Sequence, residues 1–320
     1  MRLIQRTQGS ELSSTSRDFL AIEGLPLAEL RAIIDRAERL LPAAVGEAAA
    51  EERLRGRVIA NIFFEDSTRT RVSFEVAAKR LGAAVIYLGA SGSSASKGET
   101  LIDSARNIEA MGVDAIVVRT SISGGAALVA QSVACPVINA GDGRHEHPTQ
   151  AILDMLALKL RLGDLAGKRV AIVGDIANSR VARSSTHALV ALGAHVVAVG
   201  PPSLLPAGFD QLARGAGSIT VSHDLDSIIG EMDAIMMLRV QTERAAGIGI
   251  APDYRSSFGL TAARRQRLRK GAAILHPGPV NRGVEIDGAV ADDGLDSLIL
   301  AQVSCGVAAR MSVLLRALDR

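Results

Sequence analysis

The sequence VIANIFFEDSTRTR, residues 58–71, passes from an apolar run into hydroxyl and guanidinium side chains. The apolar run 58–64 predicts a buried strand. The apolar residues that follow it recur at helical spacing and predict a helix: Phe74, Ala77, Ala78 and Leu81. Ser67 suits the N-cap of that helix, so residues 67–71 are expected on a strand-to-helix turn.

The same alternation of apolar runs with amphipathic segments continues along the chain. Strands are expected at 57–65, 83–89, 114–120, 136–140, 168–174, 195–200, 233–239 and 272–276. Helices are expected at 26–42, 67–81, 100–111, 148–162, 179–192, 261–270 and 297–318. This pattern predicts the α/β class, with parallel sheets covered by helices on both faces.

Eight such strands could close a single barrel, but segment 148–162 favours two domains. It is apolar nearly all round, which predicts a helix buried between two domains. We therefore expect two doubly wound parallel-sheet domains joined by buried interdomain helices. The first comprises residues 1–150, the second residues 151–290, and a C-terminal helix within 291–320 packs back on the first. Ligands of such sheets bind beyond the carboxyl ends of the strands.

Length and composition exclude several classes of protein. A chain of 320 residues predicts two domains. The net charge of +2 is too small to indicate a nucleic acid or membrane partner. Cys135 and Cys305 provide neither a disulfide framework nor a cysteine-rich metal site. The N-terminus lacks a signal-peptide core and no apolar run reaches about 18 residues, so we expect a soluble cytoplasmic protein.

The turn at 67–71 has the composition of a phosphate site. A cation in the first turn of a helix is unfavourable by roughly 0.3–1 kcal/mol, because free N–H groups and the positive dipole end lie there. Arg69 is explained if an anion binds, since hydroxyls, amides and a guanidinium then form a cradle. Arg71 faces another direction, and we expect it to pair with Glu75. The alternative is an ordinary capped helix with solvated arginines.

Residues 145–150, HEHPTQ, begin the apolar helix. Pro148 suits the first helical position, which makes His147 the N-cap and Gln150 the N3 residue. Both side chains then meet at the helix start, where His147 can donate a hydrogen bond to a carbonyl oxygen that gains negative charge. One alternative is a metal site formed by the His-x-His pair, which the proline turn and the lack of a carboxylate or cysteine cluster disfavour. Another is a purely structural N-cap histidine.

Residues 91–100, SGSSASKGET, are rich in glycine and serine, which predicts a loop. The loop resembles a Walker A motif only superficially, because that motif needs Gly before its Lys and Ser or Thr after it, whereas here Gly98 follows Lys97 and Glu99 comes next. We predict a mobile flap that delivers the positive charge of Lys97 to a site. The alternative is a plain flexible loop.

Three further strand ends carry residues suited to anions or amides. The turn at 170–180 lacks the Gly-x-Gly-x-x-Gly pattern of a dinucleotide site, yet Arg180 again lies in a first helical turn. After the next strand, Arg239 and Gln241 share a face if the chain stays extended, and arginine is well shaped to hold a carboxylate. The loop 276–282, HPGPVNR, presents carbonyl oxygens that can accept from an NH₂ group. Together these segments predict one phosphate-bearing substrate with an amide end and one multiply anionic substrate.

At these residues the sequence resembles the aspartate carbamoyltransferases, a branch of the aspartate/ornithine carbamoyltransferase superfamily. The matching segments are FEDSTRTR at 64–71, KGETL at 97–101, HPTQ at 147–150, RVQTER at 239–244 and HPGP at 276–279. FEDSTRTR identifies only the superfamily. The ornithine enzymes have Cys in place of Thr149 and His-Cys-Leu-Pro in place of HPGP, so the other segments indicate the aspartate branch. The resemblance covers nearly the full length and shows no departure at a motif position.

The resemblance implies transfer of the carbamoyl group of carbamoyl phosphate to the α-amine of L-aspartate, giving N-carbamoyl-L-aspartate and phosphate in de novo pyrimidine (UMP) biosynthesis. The residues implied to bind carbamoyl phosphate are Ser67, Thr68, Arg69, Thr70, Arg119, His147, Gln150, Gly278 and Pro279. Those implied to bind aspartate are Lys97, Arg180, Arg239 and Gln241. The implied catalytic residues are Arg69, Thr70, Lys97, Arg119 and His147.

The resemblance also implies a homotrimer without a metal or an organic cofactor. Ser93 and Lys97 would reach into the site of the neighbouring subunit. Whether regulatory chains or a dihydroorotase join the trimer, and which group accepts the proton of the amine, is left open by the sequence. Two other functions are considered: a non-catalytic metabolite-binding subunit, and a nicotinamide dehydrogenase, which the missing glycine pattern disfavours.

Overall fold

The computed structural model describes residues 17–89, 98–240 and 253–319. The strands in these ranges are Val58–Phe63 (β1), Ala84–Gly89 (β2), Ala115–Thr120 (β3), Val137–Asp142 (β4), Arg169–Val173 (β5), His195–Val199 (β6), Ser218–Ser222 (β7), Ala234–Met237 (β8) and Ala273–Leu275 (β9). The α-helices are Leu27–Val45 (α1), Thr68–Arg80 (α2), Leu101–Ala110 (α3), Gly125–Ser132 (α4), Pro148–Leu162 (α5), Arg180–Ala191 (α6), Leu225–Ile228 (α7), Tyr254–Phe258 (α8), Ala262–Arg267 (α9), Gly288–Ala291 (α10) and Ile299–Leu318 (α11). Short 3₁₀-helices lie at Pro202–Leu204, Phe209–Leu212 and Ile229–Glu231.

The strands form two separate parallel sheets. The first has the order β2-β1-β3-β4 and the second the order β7-β6-β5-β8-β9. The central strands are buried on both faces, which explains their continuous apolar runs. The prediction of two parallel-sheet α/β domains is confirmed, and the single barrel is wrong.

The strand order reverses once in each sheet. In the first sheet the chain proceeds to one side of β1 to form β2 and to the other side to form β3. In the second it moves outward from β5 to β7 and then returns to place β8 on the opposite side of β5. Such reversals open a crevice at the carboxyl ends of the strands. Arg119 lies near the carboxyl end of β3, and the segments after β1, β5 and β8 carry the other predicted arginines, Arg69, Arg180 and Arg239. The topology therefore delivers all four to these crevices.

Helices α5 and α11 connect the two sheets. α5 is buried from Pro148 through Leu158 and contacts β4 of the first sheet and β9 of the second. α11 packs on α1, α2 and α5 and also contacts β9. Within the described residues α11 is the one helix long and apolar enough to cross a membrane, and 61% of its apolar window is buried inside the protein. It is therefore placed as a core helix of the protein.

Several elements were not expected from the sequence: the strand β7, the helices α4, α7, α8 and α10, and the short 3₁₀-helices. The strand β7 has the sequence SITVS, in which only Ile219 is buried, so no apolar run marks it. It pairs with β6 at the edge of its sheet. The helix α4 has the sequence GAALVAQS and begins after a glycine rather than a polar N-cap. The other elements lie within a few residues of their predicted bounds, except that α9 ends at Arg267, because Leu268 adopts an extended conformation.

Candidate active site

The turn after β1 brings Arg69 against the loop that follows β9. Ser67 occupies the N-cap position of α2, and its hydroxyl caps no backbone N–H of the described chain. The Arg69 guanidinium packs so closely on Gly278 that a Cβ atom there would lie 2.7 Å from Cζ of Arg69. Burial and the positive charge of Arg239 lower the pKa of Arg69. Two residues predicted to bind carbamoyl phosphate, Arg69 and Gly278, thus lie close to Arg239, which is predicted to bind aspartate.

Arg71 has a different environment from the one predicted. Its guanidinium lies over the ring of Tyr87 on β2, 4.8 Å from the ring centroid. Glu75 pairs instead with Lys79, with 2.7 Å between Oε1 and Nζ. The predicted Arg71–Glu75 pair is therefore wrong. The physical reason is orientation, since an acidic residue N-terminal to a basic one at i,i+4 is the better arrangement on a helix.

A single carboxylate joins arginines from the two domains. Glu65 accepts from Nη2 of Arg119 at 2.7 Å and from Nη1 of Arg180 at 3.0 Å. Both guanidinium groups lie against Gly141, where an added Cβ would be 3.0 Å from Nε of Arg180 and 3.2 Å from Nη1 of Arg119. Arg180 also donates to the carbonyl oxygen of Gly143 at 3.1 Å. Sequence reasoning quoted Glu65 within the motif but assigned it no role.

His147 is the N-cap of α5, as predicted, and its imidazole is buried beside several cations. Its backbone N–H donates to Oγ of Ser184 at 2.8 Å. Burial, followed by the charges of Arg119, Arg180 and Arg310, holds the pKa of His147 well below 6.5. The ring is therefore neutral at pH 7, and its buried Nδ1 atom has no hydrogen-bond partner in the described part of the chain. A neutral imidazole can act as a hydrogen-bond donor or acceptor but brings no charge.

His145 does not act together with His147. Its Nδ1 atom lies 3.1 Å from Oδ2 of Asp142, and the hydrogen bond with Asp142 raises the pKa of His145. Within residues 17–89, 98–240 and 253–319, no group of three or more His, Cys, Asp or Glu side chains could hold a metal ion. The described part of the chain therefore offers no support for the His-x-His metal site.

Gln150 bonds to a buried carboxyl group one helical turn along α5. Its Nε2 atom donates to Oδ1 of Asp154 at 2.9 Å. Asp154 is completely buried, and burial raises the pKa of its carboxyl to about 7. It also accepts from Gln302 and Ser185. Sequence reasoning missed Asp154, although a lone carboxyl group in a helix that is otherwise apolar on this stretch was a signal that could have identified it.

The loop after β9 is fixed by a buried histidine. Nδ1 of His276 accepts from the backbone N–H of Gly278 at 2.8 Å. The proton therefore lies on Nε2, which donates to Oε1 of Glu285 at 3.0 Å. The same carboxylate accepts from the backbone N–H of Asn281 at 2.6 Å. The side chains of His276 and Glu285 thus stabilise the conformation of the loop that contains the predicted acceptors, the carbonyls of Gly278 and Pro279.

The predicted site residues fall into two linked groups and a remainder. The turn after β1 supplies both groups: Arg69 packs on Gly278 and lies within the electrostatic influence of Arg239, and Glu65 joins Arg119 and Arg180 near His147. Three predicted residues, Ser93, Lys97 and Gln241, lie outside the described residues.

Fully buried Arg310 on α11 was not predicted. Its Nη1 atom donates to the carbonyl of Gly306 at 2.8 Å, and its guanidinium lies 5.1 Å from the ring centroid of Phe74. Burial and the charge of Arg119 lower the pKa of Arg310 to about 9, opposed by Asp154. Its position within an apolar helix was the available signal. Arg310 adds a further positive charge behind His147.

The chain matches two family models in succession. Residues 17–160 match the aspartate/ornithine carbamoyltransferase carbamoyl-P binding domain, and residues 166–317 match the Asp/Orn binding domain of the same family. The chain is 54% identical over 300 residues to the aspartate carbamoyltransferase catalytic subunit of Myxococcus xanthus, covering 93% of this chain and 98% of that one.

Solved structures of both branches resemble this fold. An aspartate transcarbamoylase from Trypanosoma cruzi, in complex with carbamoyl aspartate and phosphate, superposes with a TM-score of 0.84 at 29% identity, covering 95% of this chain and 96% of that one. An ornithine carbamoyltransferase from Pyrococcus furiosus has a TM-score of 0.83 at 28% identity, covering 95% and 97%. Structural similarity alone therefore does not separate the two acceptors, whereas the sequence relatives carry the aspartate name.

Proposed function

The chain belongs to the aspartate/ornithine carbamoyltransferase family, and we propose that its site holds carbamoyl phosphate beside L-aspartate. The protein is an aspartate carbamoyltransferase. It transfers the carbamoyl group of carbamoyl phosphate to the α-amine of L-aspartate, giving N-carbamoyl-L-aspartate and phosphate in de novo pyrimidine biosynthesis.

Carbamoyl phosphate binds at the turn after β1. Its phosphate lies at the start of α2, against the hydroxyls of Ser67, Thr68 and Thr70 and the guanidinium of Arg69. Its carbamoyl oxygen receives hydrogen bonds from Arg119 and His147. Its NH₂ group faces acceptors on Gln150, Gly278 and Pro279. One observation carries this arrangement: Arg69 packs directly on Gly278, so the phosphate cradle and the carbonyl loop lie side by side.

Aspartate binds through its carboxylates to Arg180, Arg239 and Gln241, with Lys97 of a neighbouring subunit closing over both substrates. The density of cations in this region favours a dicarboxylate. Ornithine would instead place a second ammonium group near Arg180 and Arg239, at a cost in Coulomb energy. The charges therefore support aspartate as the acceptor.

The two substrates divide between the two domains. Residues 1–150, with the helix in 291–320, form the carbamoyl phosphate domain, and residues 151–290 form the aspartate domain. The first sheet lies wholly within the former range and the second sheet within the latter, which supports this division. Catalysis then requires α5 and α11 to keep the two sheets in a fixed relative position.

The reaction proceeds by attack of the neutral α-amine on the carbamoyl carbon. Negative charge develops on the carbamoyl oxygen, which Thr70, Arg119 and His147 stabilise. Because burial lowers the pKa of His147, this residue contributes a hydrogen bond rather than a charge. Removing one such donor typically costs about 10²–10³ in rate. Phosphate departs with its charge balanced by Arg69 and Lys97, and positioning two mutually repelling anions supplies much of the acceleration.

The functional unit is a cytoplasmic homotrimer. Ser93 and Lys97 of one subunit complete the site of the next, so an isolated subunit is inactive. Native mass measured with and without candidate regulatory chains or a dihydroorotase determines whether the trimer forms a larger assembly.

An acceptor assay tests the function directly. Purified protein is supplied with carbamoyl phosphate and either L-aspartate or L-ornithine, and phosphate and the carbamoylated product are both measured. We expect carbamoylaspartate and phosphate in equal amounts. Preferred turnover of ornithine would contradict the acceptor, and binding of N-phosphonacetyl-L-aspartate without any turnover would indicate a non-catalytic subunit.

A further inference from the structure

We propose that Asp154 is a positioning residue for the carbamoyl end of the substrate, acting through Gln150 and Gln302. The inference rests on the proposed function, because it explains how the acceptors of the carbamoyl NH₂ group are held in place. Asp154 itself is completely buried in α5 and belongs to the layer beneath the site.

One oxygen of Asp154 receives both glutamine side chains. Oδ1 accepts from Nε2 of Gln150 at 2.9 Å and from Nε2 of Gln302 at 2.7 Å. The other oxygen, Oδ2, accepts from the hydroxyl of Ser185 at 3.1 Å. The carboxyl group therefore connects three helices, since α5 packs on both α6 and α11.

The chemistry of the carboxyl group fixes how each amide is turned. An ionised carboxylate only accepts hydrogen bonds, so both glutamines must direct their NH₂ groups towards it. The Asp154 carboxyl titrates near neutral pH, since burial raises its pKa to about 7. A proton on Oδ2 would face the Ser185 hydroxyl, which can accept it, so Oδ1 remains an acceptor in either state.

For Gln150 the consequence is a carbonyl oxygen that faces away from Asp154. That oxygen has no hydrogen-bond partner among the residues that the structure describes, and Gln150 lies in the first turn of α5 beside His147. A carbonyl oxygen turned towards the start of the helix is an acceptor for the NH₂ group of carbamoyl phosphate. If the Gln150 amide were reversed, its NH₂ group would face the NH₂ group of carbamoyl phosphate, and the two donors would repel each other.

For Gln302 the consequence extends to the loop after β9. With its NH₂ group on Asp154, its Oε1 atom accepts the backbone N–H of His276 at 3.0 Å. His276 in turn accepts the N–H of Gly278 at 2.8 Å. The loop that contains the carbonyls of Gly278 and Pro279 is therefore connected, through His276 and Gln302, to the same oxygen of Asp154 that orients Gln150.

The network therefore makes a specific prediction about ligand selectivity. A site that orients acceptors towards an NH₂ group discriminates strongly against an analogue that lacks it. Acetyl phosphate replaces the carbamoyl NH₂ with a methyl group and keeps the phosphate and carbonyl. The ratio of acetyl phosphate affinity to carbamoyl phosphate affinity therefore depends on the orientation of these acceptors. Changes at the phosphate cradle affect both ligands and cancel in this ratio.

Dissociation constants for both ligands, measured on wild type and on Asp154→Leu, test the proposal. We expect Asp154→Leu to weaken carbamoyl phosphate binding about tenfold, as for loss of one or two net hydrogen bonds, with less than about twofold change for acetyl phosphate. Gln302→Leu, which is remote from the ligand and removes only the branch to the loop, should raise the ratio of acetyl phosphate affinity to carbamoyl phosphate affinity by about threefold. Should Asp154→Leu fail to fold, the test is decided by Gln302→Leu.

Two matched variants separate positioning from general destabilisation. Asp154→Asn keeps an acceptor at Oδ1 and places its NH₂ against Ser185, so it should retain the wild-type ratio. Ser185→Ala removes only the partner of Oδ2 and should also retain it. Equal weakening of both ligands in Asp154→Leu, or an unchanged ratio in both leucine variants, would overturn the proposal. If wild type itself neither prefers carbamoyl phosphate nor turns it over, the proposed function fails instead.

Discussion

Arg69 and Arg71 are separated by one residue, yet they lie in opposite environments. Arg69 lies in the first turn of α2 with its guanidinium against the Gly278 backbone and near the charge of Arg239. Arg71 points to the sheet and covers the ring of Tyr87. The first arrangement concentrates positive charge where the helix dipole is already positive, so it is stabilised when an anion binds.

Replacing each arginine in turn tests the phosphate cradle. Arg69→Ala should weaken carbamoyl phosphate binding by about 100-fold, because charge-assisted hydrogen bonds to phosphate contribute roughly 1.5–3 kcal/mol each. Arg71→Ala removes the same charge two positions along the helix and should change the affinity by less than about threefold, since a surface cation contributes little at a distance. Equal losses in the two variants would refute a specific cradle at Arg69.

His147 makes the stability of the protein depend on pH. Its folded pKa lies well below the ordinary value of 6.5, so below pH 6.5 the unfolded chain binds a proton that the folded chain does not. This residue therefore lowers the free energy of unfolding as the pH falls, by at most about 1.4 kcal/mol per pH unit.

The matched variant is His147→Gln, which cannot titrate. Urea unfolding at one protein concentration, from pH 8 down to pH 5.5, should show wild type losing stability relative to the variant only below about pH 6.5. Asp154 titrates in both proteins, so the difference isolates His147. A constant difference across this range would show that His147 has an ordinary pKa.

At the scale of elements, two helices begin with a serine but use it differently. Ser179 at the N-cap of α6 accepts the backbone N–H of Ala182 at 3.1 Å. Ser67 occupies the same position of α2 and makes no such bond within the described chain. The N-terminus of α6 is therefore satisfied internally, whereas that of α2 keeps a hydroxyl and N–H groups for a ligand.

Alanine at each serine should therefore have opposite effects. Ser179→Ala should lower the free energy of unfolding by about 1 kcal/mol, the usual cost of losing an N-cap. Ser67→Ala should leave stability nearly unchanged and weaken carbamoyl phosphate binding several-fold. Chemical denaturation and ligand titration of both variants measure the two effects. A stability loss in Ser67→Ala as large as that in Ser179→Ala would indicate that Ser67 is a structural cap.

At the scale of the whole molecule, the proposed site combines two domains of one subunit with Lys97 of another. Arg69→Ala and Lys97→Ala trimers should each be almost inactive, but dissociating, mixing and reassembling them should restore activity. With random assembly about one quarter of the sites combine an intact Arg69 with an intact neighbouring Lys97.

The control mixture pairs Arg69→Ala with His147→Ala, whose residues belong to the same subunit's site. This mixture should recover no activity, because no subunit then contains both side chains. Activity assays are accompanied by native mass spectrometry to verify that mixed trimers form. Mixed trimers of the first pair without recovered activity would contradict a site shared between subunits.

Much of the fold was predictable because its signals are local. Continuous apolar runs marked β1, β3, β5 and β8, and helical spacing with Ser67 and Pro148 marked the starts of α2 and α5. Such patterns depend on which residues are neighbours in the chain. The edge strand β7 lacked them, since an edge strand is half exposed and needs no apolar run.

The partners of charged side chains were less predictable. Glu65 lies 115 residues from Arg180, and its joining of Arg180 to Arg119 depends on how the two sheets pack. Likewise Arg71 contacts the ring of Tyr87 and does not pair with the nearby Glu75, which forms an ion pair with Lys79. The free energy of such a contact is determined by burial and geometry across elements, which composition does not record.

The sequence by itself determined the α/β class, the two-domain plan, the strand-to-helix turns that carry Arg69, His147 and Arg180, and the family. The tertiary structure alone decided that Gly278 lies against Arg69 and that Asp154 connects Gln150 with Gln302. The physical reason is the range of the interactions. Periodicity and capping act over a few residues, whereas a buried hydrogen-bond network exists only when distant segments are brought to within about 3 Å.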